Sequence, residues 1–156
     1  MASSYLSRTP ASATNRRTFT ISFWLKTSVA TGDYTLFYSA GSGSHEFKIA
    51  FDTSERLYVY DFNGTSFDIL LKTNRVFRDT SAFYNIVYEI DTTNATADDR
   101  IKLYVNGVQE TSFSDRTNPS QNHDTEWNGT GVHYIGRDGS GSYIDGILTH
   151  IHNIDG

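Results

Sequence analysis

Thr18–Lys26 reads TFTISFWLK. Phe19, Ile21, Phe23 and Leu25 fall on one side of an extended chain, with Thr18, Thr20, Ser22 and Trp24 on the other. A period of two sustained over this length specifies a strand with one buried face; a helix would repeat its apolar positions about every 3.6 residues. The same pattern continues outward. Tyr34–Tyr38, Glu46–Phe51, Arg56–Phe62, Ser66–Leu71, Tyr84–Ile90, Ile101–Val105 and Val108–Phe113 read as further strands, separated by Gly, Ser, Asn and Asp. Asn63-Gly64 and Asn106-Gly107 predict two-residue hairpins with type I′ turns. Ser114–Thr130 has no periodicity and reads as the longest loop, of the length that is usually functional or mobile. Beyond it, Tyr134–Asp138 and Tyr143–Gly146 flank Gly139–Ser142, which predicts a terminal antiparallel hairpin. Leu148 and Ile151 have opposite parity, so the inward face of the last strand is ambiguous unless a bulge intervenes. Roughly ten to twelve short strands, with no helical stretch, predict an all-β antiparallel sandwich or jelly roll.

Composition agrees. A chain of 156 residues fits one domain, here residues 1–156, with enough length for a self-sufficient core. Aromatic residues make up 14%, including 10 Tyr and 10 Phe, and such side chains favour pleated, half-buried surfaces. There is no cysteine, which excludes disulfides and thiolate metal sites. The net charge of −5 and pI near 5.4 argue against nucleic-acid and anionic-membrane partners. No apolar run approaches the roughly 20 residues of a membrane span, and MASSYLSRTP lacks the features of a secretion signal.

Four blocks carry a family resemblance: TFTISFWLK, FYNIVYEID, IKLYVNGVQ and GVHYIGRDGSGSYIDGILTHIHNID. In that order, across residues 18 to 155, they resemble the strands of laminin-G-like and pentraxin-like domains of the concanavalin A-like superfamily. Phe83 stands where Trp is more typical, and Asn106 where Asp is. YLSRTP near the start and IDG at the end resemble versions found in structural proteins of tailed phages. The resemblance implies two curved antiparallel sheets and a module that binds glycans or proteins, in some cases with calcium at a rim. It also implies one more strand at the start, for which only MASSYLS remains.

Catalytic patterns fail on inspection. Glu89–Ile90–Asp91 begins like the E-x-D-x-x-E signature of sandwich glucanases, but Asn94 occupies the second acid position and cannot donate a proton. No serine lies in G-x-S-x-G. His150 and His152 share a face of the last strand, yet no third metal ligand is identifiable beside them. Calcium is the better metal candidate: Asp138, Ser140, Ser142 and Asp145 offer oxygens across a Gly-rich turn, although the same residues also serve simply to brace a hairpin.

Sugar binding needs a stacking ring beside hydroxyl partners. Trp127, with Asp124 and Asn128 in the long loop, is one such group, with a buried loop anchor as the other reading of Trp127. Tyr58 and Tyr60, near Asn63, are another, either displayed on a sheet face or buried between sheets. The chain therefore reads as a non-enzymatic adhesion module of a virion or extracellular structure, bound to a surface glycan and repeated in an oligomer or array. The alternative is an assembly module that binds a neighbouring structural protein through Tyr-rich surface.

Overall fold

A computed structural model describes residues 4–28 and 33–156. Among them twelve strands run β1 (Leu6–Arg8), β2 (Thr18–Thr27), β3 (Tyr34–Ala40), β4 (His45–Phe51), β5 (Arg56–Asn63), β6 (Phe67–Val76), β7 (Tyr84–Asp91), β8 (Ile101–Val105), β9 (Val108–Glu110), β10 (Phe113–Thr117), β11 (His133–Ile135) and β12 (Gly146–Asp155). A 3₁₀ turn, Ala97–Asp99, precedes β8. Every pairing is antiparallel. The large sheet has the order β1-β11-β3-β4-β5-β6-β10 and the small sheet β12-β2-β7-β8-β9.

The alternation in the sequence becomes the layer between the sheets. Phe19, Ile21, Phe23 and Leu25 of β2 are buried with Ile86, Tyr88 and Ile90 of β7 and Ile101, Leu103 and Val105 of β8. Opposite them lie Phe37, Phe47, Ile49, Phe51, Leu57, Val59, Ile69 and Leu71 of the large sheet. Removing this apolar surface from water, at about 25 cal/mol per Å², drives the two sheets together.

Four expectations change. The start of the chain does form a short strand, β1, which pairs with β11 at the edge of the large sheet. Val108–Phe113 is not one strand: β9 stays in the small sheet, and β10 crosses to pair with β6. Part of the supposed loop, through Thr117, is therefore paired. The terminal hairpin has a stem of one bridge, Arg137 to Tyr143, after which its arms enter different sheets. It is an arch across the sandwich edge, because β11 pairs with β3 while β12 pairs with β2. Asn63-Gly64 is not type I′, since only Gly64 takes positive φ (85°) and Asn63 precedes the turn. Asn106-Gly107, with φ of 51° and 78°, is the turn expected.

The bulge in β12 is present between Thr149 and His152, with His150 at φ 48°, and it lets both Leu148 and Ile151 pack against the core. The loop from β10 to β11 is clamped hard onto β3. A Cβ at Gly131 would lie 1.5 Å from the Ala40 carbonyl oxygen, so only glycine fits there.

Candidate functional site

Outward-facing residues of the large sheet are the counterpart of its buried rows. In β5, Leu57 and Val59 point inward, so Tyr58 and Tyr60 stand on the outer face. Their rings are parallel to within 6°, with centroids 5.9 Å apart. Phe67 continues the strip, 5.2 Å from both Tyr60 and Phe62. Register aligns a second row across the strands: Tyr134 on β11, Tyr38 on β3, Lys48 on β4 and Tyr60 on β5. Tyr38 and Tyr134 lie at 6.2 Å with an angle of 26°.

Charged groups fix these rings. The Tyr60 hydroxyl donates to Glu46 Oε1, and the Tyr58 hydroxyl donates to Asp33 Oδ1 at 3.3 Å. Burial, reinforced by those carboxylates, pushes both phenols well above their ordinary range. Burial and then Glu46 likewise raise Tyr38 to about 12. All three remain neutral hydrogen-bonding groups at physiological pH. Lys72 Nζ sits 5.7 Å from the centre of the Tyr58 ring.

The arch crosses this face. Asp138 Oδ2 accepts Lys48 Nζ at 3.1 Å and Thr35 Oγ1 at 3.3 Å. Its Oδ1 accepts the Ser140 and Ser142 amides and the Ser140 hydroxyl. Burial works to raise this carboxyl; the Ser142 amide, the Ser140 hydroxyl and Lys48 outweigh it and hold the pKa well below the usual range. Asp145 instead accepts the Ser28 hydroxyl, so the two carboxylates proposed for calcium share no partner, and Lys48 supplies the positive charge at Asp138. Beside Asp138, the Arg137 guanidinium lies 4.8 Å from the Tyr5 and Tyr134 rings and 5.3 Å from Tyr143.

The loop group separates. Trp127 is 4% exposed, packed against Phe37, Phe47 and His133, and its Nε1 donates to Asn153 Oδ1 at 3.0 Å. It is a core anchor, and its ring is not offered as a surface plate. Asn128 is buried too: its amide donates to His133, its Nδ2 to the Asn15 carbonyl, and its Oδ1 accepts Asn153. Those bonds tie the loop to the first segment and to β12. Asp124 is held by Arg17 (2.7 and 3.1 Å), which lowers its pKa. Asn63 is consumed by its own turn, where Oδ1 accepts the Thr65 and Ser66 amides.

Tyr38, Lys48, Glu46 and Tyr134 belong to the tyrosine face, and sequence reading missed them. Their outward parity was readable, but only strand register brings Tyr134, Tyr38 and Lys48 into one row with Tyr60 and sets Glu46 one step beside it. A second feature was also missed. Asp61, 2% exposed on the inner side of β5, lies with Asp68 and His123 so that one ligand atom from each falls within 4.8 Å of the others. Glu89, the remnant of the glucanase pattern, is exposed on the small sheet and accepts the Tyr104 hydroxyl. Trp127, Asn128 and His133 also back a cleft of about 530 Å³ beneath residues 6–14.

Two antiparallel sheets with a buried seam and a tyrosine-lined outer face define a lectin-like β-sandwich. The chain belongs to the concanavalin A-like lectin/glucanases superfamily, whose laminin-G-type model matches residues 2–153. No curated protein matches it in sequence. Among solved structures, it is similar to domain 4 of AbnA, a GH43 extracellular arabinanase from Geobacillus stearothermophilus in complex with arabinotriose (14% identity, TM-score 0.65, 91% of this chain and 62% of that one). It is similar to the native heptameric SAP-like pentraxin of Limulus polyphemus (14%, TM-score 0.63, 96% and 68%). It also resembles the CBM40 of the Ruminococcus gnavus IT-sialidase bound to α2,3 sialyllactose (16%, TM-score 0.61, 90% and 76%). At these identities the likeness is one of fold.

Proposed function

We propose that the chain is a non-catalytic glycan-binding module whose ligand lies across Tyr58, Tyr60, Tyr38 and Lys48. The observation that carries this reading is the parallel Tyr58–Tyr60 pair, half-buried and locked by Asp33 and Glu46 on an outer sheet face. Fixed rings lose little conformational freedom when a ligand binds, while neighbouring carboxylates and an ammonium suit saccharide hydroxyls. Arabinotriose on the arabinanase domain and sialyllactose on the CBM40 support the substrate class. Shallow sites of this kind bind weakly one at a time, which favours an oligomeric or repeated parent, and a heptamer occurs among proteins of this fold. A tail fibre or other extracellular surface is the setting such adhesion fits.

A glycan array probed with wild type and with the Tyr58→Ala/Tyr60→Ala double variant tests it. The double variant is expected to lose at least tenfold in binding while keeping the wild-type circular dichroism spectrum. Undiminished binding by that variant would falsify the assignment. The alternative of an assembly module draws on Trp24, Ile147 and Ile154, all more than 40% exposed on the small sheet. An array with no signal, together with self-association in sedimentation, favours it.

A further inference from the structure

The second cluster lies at the end of the inter-sheet layer. Asp61 follows Leu57 and Val59 on the inward side of β5, and faces Phe47 and Ile69 across the ladder. Asp68 is the second residue of β6, and His123 comes from the loop that leads to β11. Nothing in the tyrosine face uses these three residues.

The one ion pair within the cluster is Asp61 with His123. Asp61 Oδ2 accepts the Glu126 amide at 2.7 Å, and both Asp68 oxygens accept Asn63 Nδ2 at 3.0 Å; these donors are neutral. Among the described residues, Asp52, Asp124, Asp138 and Glu126 each pair with Lys or Arg, whereas Asp61 and Asp68 pair with neither. His123 Nε2 is the nearest basic atom, 3.4 Å from Asp61 Oδ1. That is long for a charge-assisted hydrogen bond, which runs about 2.7–2.9 Å. It matches the edge of a tetrahedron, since an ion bonded at about 2.0–2.1 Å keeps neighbouring ligands about 3.3–3.4 Å apart.

We propose that Asp61, Asp68 and His123 form a three-ligand site for a divalent transition ion of the zinc class, with water as a fourth ligand. One imidazole and two carboxylates suit zinc, cobalt or nickel better than calcium, which takes six to eight oxygens. Asn63 and the Glu126 amide orient the two carboxylates in the way supporting groups orient metal ligands. Bound there, the ion cross-links the β5–β6 end of the large sheet to the segment that carries Glu126 and Trp127.

Thermal melting of the tag-free chain, with EDTA and with added zinc or calcium, tests the site without any sugar. Zinc at about 100 times its Kd is expected to raise the melting temperature by roughly 5–10 °C, with one equivalent bound. Asp68→Asn and His123→Ala should each abolish most of that rise, and His150→Ala/His152→Ala should keep it. Cobalt should give the visible absorption of a tetrahedral site. The proposal is overturned if zinc leaves the melt unchanged, if calcium matches zinc, or if the rise survives in Asp68→Asn. Loss of the rise in the His150/His152 variant would also overturn it. Asp68 is only partly buried, so its variant remains informative should His123→Ala fail to fold.

Discussion

Trp127 and Tyr88 show how a residue's neighbours in sequence mislead about its neighbours in space. Trp127 sits among His123, Asp124, Glu126 and Asn128, a polar setting that reads as surface. The chain satisfies those polar groups from its distant first segment, with Arg17 on Asp124 and Asn15 on Asn128, and spends the ring on the core. Tyr88 is the opposite case: an alternating strand position, fully buried, whose hydroxyl has no hydrogen-bond partner. Burial alone drives its pKa far above the ordinary tyrosine value. A buried hydroxyl without a partner costs about 1–3 kcal/mol of desolvation. Tyr88→Phe is therefore expected to stabilise the fold by about 1 kcal/mol, read as a melting temperature higher by roughly 2–4 °C. A lower melting temperature would mean that the hydroxyl is satisfied after all.

At the scale of elements, strands were legible and sheet membership was not. β2 was readable because Phe19, Ile21, Phe23 and Leu25 keep one parity along its whole length. The Asn106-Gly107 turn was readable because both residues tolerate positive φ. The arch and β10 were not, since period two marks a strand without naming its partner. Tyr134–Asp138 and Tyr143–Gly146 look like the arms of one hairpin until β3 claims the start of the first and β2 the strand that continues the second.

The segment between β10 and β11 is held by a bond that pH can break. His133 Nδ1–H donates to the Gly131 carbonyl at 2.9 Å, and Nε2 accepts the Asn128 amide at 3.1 Å, which requires a neutral ring. Burial, aided by Arg8, lowers its pKa below 6.5 in spite of the Gly131 bond. Below pH 6.5 the unfolded chain takes up a proton that the native ring refuses. This contribution to stability is thus complete above pH 6.5 and is lost as pH falls through the native value. His123 runs the other way: Asp61 raises its pKa, so its share is complete below 6.5 and is lost as pH rises through the native value. Denaturant melts in EDTA at pH 7.5 and 5.5 separate the two. Relative to wild type, His133→Ala is expected to lose less stability on acidification, and an equal loss would remove His133 from the account.

Over the whole molecule, the two sheets present unlike faces to solvent. The large sheet carries the row of Tyr134, Tyr38, Lys48 and Tyr60 beside Asp138, and the small sheet displays Trp24 with Ile147 and Ile154. The first suits a ligand of many hydroxyls, the second an apolar neighbour. If the tyrosine face is the working one, attachment follows copy number, because linked sites turn later encounters into intramolecular ones and raise avidity by about 10²–10⁴-fold. The chain fused to a trimeric coiled coil is expected to be retained on a glycan-coated surface that the monomer leaves within seconds. Retention should fall steeply as glycan density drops below the spacing that two modules can bridge. Equal dissociation of monomer and trimer at high density would mean that a single copy binds tightly by itself. Retention of a trimer carrying Tyr58→Ala/Tyr60→Ala would move the contact to the small sheet.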